Sequence, residues 1–287
     1  MKRTSLFFLA CLATAACGLA ESGLGTDGGG PGDVGVPFDA TDEQNVQDAT
    51  VSDGDAGGDG GAEADASACP TTLAGPAMVP VDEYCVDSTE VTRDQYVQFV
   101  TAFDGGVANK SCTWKQSFAP GDPSSQTNPS NPIVEVDWCD AYEYCAWAKK
   151  RLCGARDGGA IDWNDNATDP NTARWYNACS KGAANTYAYG STWNSTTCND
   201  DDNNNGVVAV KSYTQCVGGF PGLYDMTGNA KEWIDQCNPT GNADNDDCHV
   251  IGGGYHDDDQ SAECFDMETH QRNNGGDDDI GFRCCWP

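Results

Sequence analysis

Fourteen of the sixteen cysteines stand at or after Cys69, and this even number constrains the chain more than any other feature. In an oxidising compartment such a set reads as a framework of up to seven disulfides. A structural zinc site would instead need clustered pairs such as Cys-x-x-Cys, joined by a second pair or by histidines. No Cys-x-x-Cys occurs, and His249, His256 and His270 show no ligand spacing, so disulfides are the reading.

The first residues agree with export. Met1-Lys2-Arg3 is basic, Thr4 to Ala16 is mostly apolar, and Thr14, Ala15 and Ala16 are small. A membrane-spanning helix needs about 20 apolar residues, so residues 1–17 have the anatomy of a secretory signal peptide. Cys17, directly after the small residues, resembles the lipobox of bacterial lipoproteins. That resemblance implies lipidation at Cys17 and attachment to the membrane through the lipid alone. Gly18 is not an aspartate, so by the same resemblance the expected location is the cell envelope, at the outer membrane.

Residues 18–68 are rich in Gly, Asp, Ala and Ser, as in Asp53-Gly54-Asp55-Ala56-Gly57-Gly58-Asp59-Gly60. Such a stretch cannot bury enough apolar surface to offset the entropy of ordering it. It reads as a disordered acidic tether, and it lacks the nonapeptide period of calcium-binding repeats. Residues 69–287 are long enough for one domain with a substantial core. The tether holds 12 of the 45 acids and no base, and the signal segment two of the 15 bases. The domain keeps 33 acids against 13 bases, a net charge of −20. That field repels nucleic acid and anionic lipid and attracts cations.

Thr92-Arg93-Asp94-Gln95 is a capping box, and Tyr96, Phe99, Val100 and Phe103 follow at helical spacing. A second helix is predicted from Asp137, with Trp138, Ala141, Cys145 and Ala148 inward, and a short third over Arg174 to Cys179. After Ser180 the chain reads as mostly loop, with short apolar pieces. Early helices and late irregular β structure make an α+β domain.

Several blocks then recur in a known order. They are Glu90-Val91-Thr92; Asn131-Pro132-Ile133-Val134-Glu135-Val136-Asp137-Trp138; Ala141-Tyr142 to Trp147 with Lys150-Arg151-Leu152; and Gly222-Leu223-Tyr224-Asp225-Met226-Thr227-Gly228-Asn229-Ala230-Lys231-Glu232-Trp233. Gly252-Gly253-Gly254 and Gly281-Phe282-Arg283-Cys284 close the set. The ordered set resembles the formylglycine-generating-enzyme (sulfatase-modifying factor) domain family across residues 75–285. The resemblance implies that family's irregular, C-type-lectin-like α+β fold. It also implies two bridges, Cys145–Cys284 and Cys179–Cys264.

The Asp225 stretch suits calcium on its own chemistry: Asp225 and Glu232 offer carboxylates across a Gly-Asn turn, and carbonyls there can complete an oxygen shell. The resemblance implies structural Ca²⁺ at Asp225, Gly228, Ala230 and Glu232, two of them through backbone carbonyls. It implies a second Ca²⁺ at Asn199, beside the acids Asp200, Asp201 and Asp202, among which spacing does not choose. This run is no EF-hand, since its twelfth position is Ser212.

The resemblance breaks at the catalytic positions. Family enzymes oxidise a substrate cysteine with O₂, using two cysteines that hold Cu(I), and soft thiolates are what Cu(I) requires. Counting from Gly254, those positions are Asp257 and Ala262. Copper is therefore not expected, no catalytic residue is assigned, and His256 to Asp259 reads as a solvated acidic loop. Expected is a non-catalytic, calcium-stabilised envelope module for an unknown protein or glycan; the alternatives are a formylglycine-generating or related oxidase, and a purely structural component.

Overall fold

The structure, a computed structural model, describes residues 68–121, 127–201 and 203–287. The expected signal peptide, Cys17, the tether up to residue 67, and Asp202 lie outside the described residues.

The chain orders as β1 (Met78–Val81), β2 (Tyr84–Asp87), α1 (Arg93–Ala102), α2 (Trp138–Trp147), β3 (Arg151–Leu152) and α3 (Arg174–Ser180). Then come β4 (Lys231–Cys237), β5 (Asp247–Ile251), β6 (Met267–Gln271), β7 (Ile280–Gly281) and β8 (Cys284–Trp286). Two four-stranded sheets result, in the orders β1-β2-β8-β3 and β6-β5-β4-β7. All pairings are antiparallel except β4 with β7. Among the described residues, no helix is long and apolar enough to cross a membrane.

Local chemistry sets the helix starts. Thr92 accepts from the Gln95 amide while the Gln95 side chain accepts from the Thr92 amide, closing the capping box on α1. Asp137 and Asp140 make the same reciprocal pair on α2, and Lys115 neutralises both, at 2.5 and 3.0 Å. α1 buries Tyr96 and Phe99 but leaves Val100 37% exposed, unlike the expected stripe. The rings of Phe99, Phe103 and Phe118 meet edge-on or tilted and draw the buried face away from Val100.

α2 is tied to β4 by crossed indole bonds: Trp138 Nε1 donates to the Ile234 carbonyl and Trp233 Nε1 to the Val136 carbonyl, each at 2.9 Å. The second sheet corrects the expectation of mostly loop after Ser180. β4 is buried at its first four positions, so it carries no polar–apolar alternation to announce a strand.

Seven disulfides pair all fourteen cysteines of the described residues. Cys145–Cys284 and Cys153–Cys285 fasten α2 and the segment after β3 to adjacent residues of β8. Cys179–Cys264 joins α3 to the loop before β6.

Candidate functional site

The Asp225 stretch folds into a turn with left-handed backbone at Asp225, Gly228 and Asn229 (φ +53°, +73° and +64°). Gly228 is required twice over: a Cβ there would also lie 2.7 Å from the Asn199 carbonyl. The closeness is productive, because the Asn229 amide donates to that carbonyl at 2.7 Å. Asn199 Nδ2 in turn donates to Asn229 Oδ1 at 3.0 Å. The structure thus packs the two expected calcium stretches against one another.

Beneath the turn, Glu232 is fully engaged. Arg283 Nε lies 2.8 Å from both carboxylate oxygens and Nη2 lies 2.7 Å from Oε1. Trp175 Nε1 donates to Oε2 at 2.6 Å. Arg283 spends its remaining donors on the carbonyls of Asp87, Tyr224 and Asp225. Asp225 Oδ2 accepts from the Lys211 amide at 2.7 Å. Glu90, read in the sequence only as a motif residue, joins the centre: Oε1 accepts from Asn229 Nδ2 at 2.9 Å, while buried Oε2 has no partner. Three buried carboxylates therefore share one guanidinium. Burial pushes the Asp225 carboxyl up to about 6. It raises that of Glu90 well above its ordinary value, with the Asp225 charge adding to the effect.

Of the acids beside Asn199, Asp200 is buried and Asp201 exposed. Asp200 Oδ2 is a second buried oxygen without a partner, and burial, helped by Asp201, pushes this carboxyl up to about 7. The donor set is oxygen throughout, with two orphaned carboxylate oxygens and a local deficit of positive charge, which fits a hard divalent cation. Among the described residues no three His, Cys, Asp or Glu side chains stand together as a metal cluster, so a cation would draw on backbone carbonyls too. Glu232 is the weak member, because Arg283 and Trp175 already saturate it.

Asp257 and Ala262, the positions reached by counting from Gly254, sit in different surroundings. Asp257 Oδ2 accepts from the Gly254 amide at 2.7 Å and lies 3.2 Å from Lys231 Nζ. Lys231 also meets Glu268 at 2.9 Å and Asp279 at 3.2 Å, and His256 lies 3.3 Å from Asp279. Burial alone would depress this ammonium, but the three carboxylates outweigh it and hold Lys231 above its ordinary value. Hydrogen bonding to His270, then to Lys231 against the cost of burial, draws Glu268 down to about 2. Ala262 is fully buried, and Cys264 is bonded to Cys179.

The reading of His256 to Asp259 as a solvated loop is thus corrected at Asp257, whose side chain is 12% exposed within an ion cluster; Asp258 and Asp259 are exposed as expected. Sequence reading missed Lys231 and Asp279. Lys231 stands in a mostly buried strand, where an ammonium must find carboxylates, but the pattern Lys-Glu-Trp-Ile-Asp-Gln-Cys carries no sign of that burial.

Fold and site together define a disulfide-closed α+β domain built on a buried arginine–carboxylate centre. The chain belongs to the sulfatase-modifying factor enzyme 1-like domain family, which it matches over residues 40–287. It is 25% identical over 228 residues to the formylglycine-generating enzyme of Bos taurus, covering 68% of this chain and 54% of that protein. It is 28% identical over 190 residues to the inactive C-alpha-formylglycine-generating enzyme 2 of Bos taurus, covering 60% and 55%. The chain thus spans about half the length of these relatives. The crystal structure of CarF shares the fold, at a TM-score of 0.50 and 20% identity, over 71% of this chain and 86% of that one.

Proposed function

We propose that this chain is a non-catalytic member of its family, a calcium-stabilised module that holds a protein or glycan ligand at the cell envelope. One observation carries the reading. Where the family's copper thiolates would stand, Asp257 pairs with the Lys231 ammonium and Ala262 fills the second position. A hard carboxylate and an aliphatic methyl group do not bind Cu(I) as two thiolates do. Lys231 supplies a fixed positive charge to Asp257, Glu268 and Asp279. The inactive relative shows by its name that the family includes members without the oxidase activity.

Calcium belongs to the same reading. Asp225, Gly228, Ala230 and Glu232 would hold one ion and Asn199 with Asp200 a second, and bound Ca²⁺ would supply the charge that orphaned Glu90 Oε2 and Asp200 Oδ2 lack. The ion's role is structural. Anchoring through Cys17 at the outer membrane, with nucleic acid repelled by the domain's charge, completes the proposal.

The test is direct. Purified chain loaded with Cu(I) and supplied with O₂ and a Cys-x-Pro-x-Arg peptide should leave the peptide's mass unchanged; formation of the aldehyde would overturn the non-catalytic reading.

A further inference from the structure

Remote from the Lys231 cluster, at the other end of β4, a cavity of about 660 Å³ opens between α2, β3 and the 158–160 loop. Its lining includes Tyr142, Ala146, Lys149, Arg151, Gly158 and Asp235. Ala146 and Lys149 also line a neighbouring cavity of about 400 Å³, which runs on to Phe103 and Trp147. The two cavities share these lining residues, and the larger one, which forms the groove, is within the size range of ligand sites.

Its chemistry is unlike the rest of the surface. Lys149-Lys150-Arg151 is a run of three bases in a domain with 13 bases against 33 acids. Lys150 turns inward and is spent on Asp87, but Lys149 and Arg151 are exposed at the groove. Arg151 is braced by a hydrogen bond to the Gly158 carbonyl. Between them Asp235 is half-buried, and only charge interactions with Arg272 and Arg151 offset a burial that pushes its carboxyl up to about 7. Tyr142 feels the Asp235 and Arg151 charges, and its ring is backed by Trp138 at 5.0 Å.

The half-buried Asp235 carboxylate lines the cavity and can accept hydrogen bonds from a ligand there. An ammonium donor would be repelled by Arg151 and Lys149, whereas a neutral hydroxyl would not. The two cations call in turn for an anion, and an arginine fork suits a carboxylate. A sugar acid carries hydroxyls and a carboxylate on one ring, with an apolar C–H face for an aromatic side chain. At about 660 Å³ the groove gives room for more than one ring.

We infer that this groove is a binding site for an acidic saccharide, its carboxylate on Arg151 and Lys149 and its hydroxyls on Asp235. The inference deepens the proposed role as a ligand-binding module and rests on that reading. The domain's net charge opposes a polyanion only at long range, and the Debye length of about 8 Å at physiological salt screens it.

Calorimetric titration of the purified chain at that salt would compare trigalacturonate, maltotriose and inorganic phosphate. Trigalacturonate should bind saturably and the other two should not. Asp235→Asn and Lys149→Gln should each weaken binding by about tenfold or more, with thermal melting showing the variants folded. No saturable heat, equal binding of maltotriose, equal competition by phosphate, or unchanged affinity in both folded variants would each overturn the site. Peptide oxidation together with saccharide binding would remove the non-catalytic reading and leave this site standing. An inert peptide with no saccharide binding would remove this site alone.

Discussion

Arg283 is fully buried and every direction of its guanidinium is used, on Glu232 and on three carbonyls. Removing one partner of a buried pair leaves an uncompensated charge and commonly costs about 3–5 kcal/mol. Arg283→Met should fall in that range by urea denaturation. Lys231→Met should cost less, since Glu268 is 39% exposed. Arg156→Ala, whose partners Asp82 and Glu83 are 43% and 60% exposed, should cost under about 1 kcal/mol. A loss below 1 kcal/mol for Arg283→Met would refute the buried centre. The same residues show what sequence can reveal of a site. Asp225 to Glu232 was legible because its members are contiguous and its turn chemistry is local. Glu90 and Arg283 come from 139 residues before Asn229 and 51 after Glu232, and no spacing rule connects them.

Among the elements, the first two helices were readable because caps are local: Thr92 and Asp137 each cap a real start, while α3 begins at Arg174 as expected but without a side-chain cap. β4 was not, because Lys231-Glu232 and Asp235-Gln236 flank its apolar pair Trp233-Ile234 without strand alternation, and its partners lie elsewhere in the sequence. The disulfides give this scale its prediction. Cys145–Cys284 and Cys153–Cys285 span 139 and 132 residues and interleave, their ends eight residues apart on one side and adjacent on the other. With either bridge intact, loss of the other frees only a short loop, worth about 2–3 kcal/mol in the chain-entropy account. Loss of both also frees the long loop, worth about 5 kcal/mol more. The double removal, as paired Cys→Ala changes, should therefore cost more than the sum of the single removals. Additive losses would mean that chain entropy is not how these bridges stabilise.

For the whole molecule, acid balance governs stability. Burial pushes Asp140 and Asp235 up to about 7 and Asp87 up to about 6, against ordinary values near 4. Such groups bind protons in the folded state that the unfolded chain has already lost. Their effect is to lower stability as pH rises from about 4 to 7. His249, held below its usual value by burial, opposes them as one group against three. With chelator present, the melting temperature should fall between pH 5 and pH 8; a rise would contradict the assignment.

Calcium should counter the loss. At pH 7.5 it should raise stability as RT ln(1 + [L]/Kd), about 2.7 kcal/mol at a hundredfold excess over Kd. Mg²⁺ should substitute poorly, because it prefers a smaller octahedral shell, and Asp225→Asn should remove most of the response. A melting temperature indifferent to chelator would leave the Asp225 turn with no ionic role.

The position of β8 has a kinetic consequence. Residues 284–286 lie between β2 and β3, and Arg283 beside them completes the buried centre. A ribosome or secretion channel delivers β2 and β3 long before β8. Until those late residues emerge, the first sheet lacks its middle strand, Glu232 its counter-charge, and Cys145 and Cys153 their partners. The domain therefore stays unfinished and threadable until then. Its folding is gated by the arrival of residues 283–286.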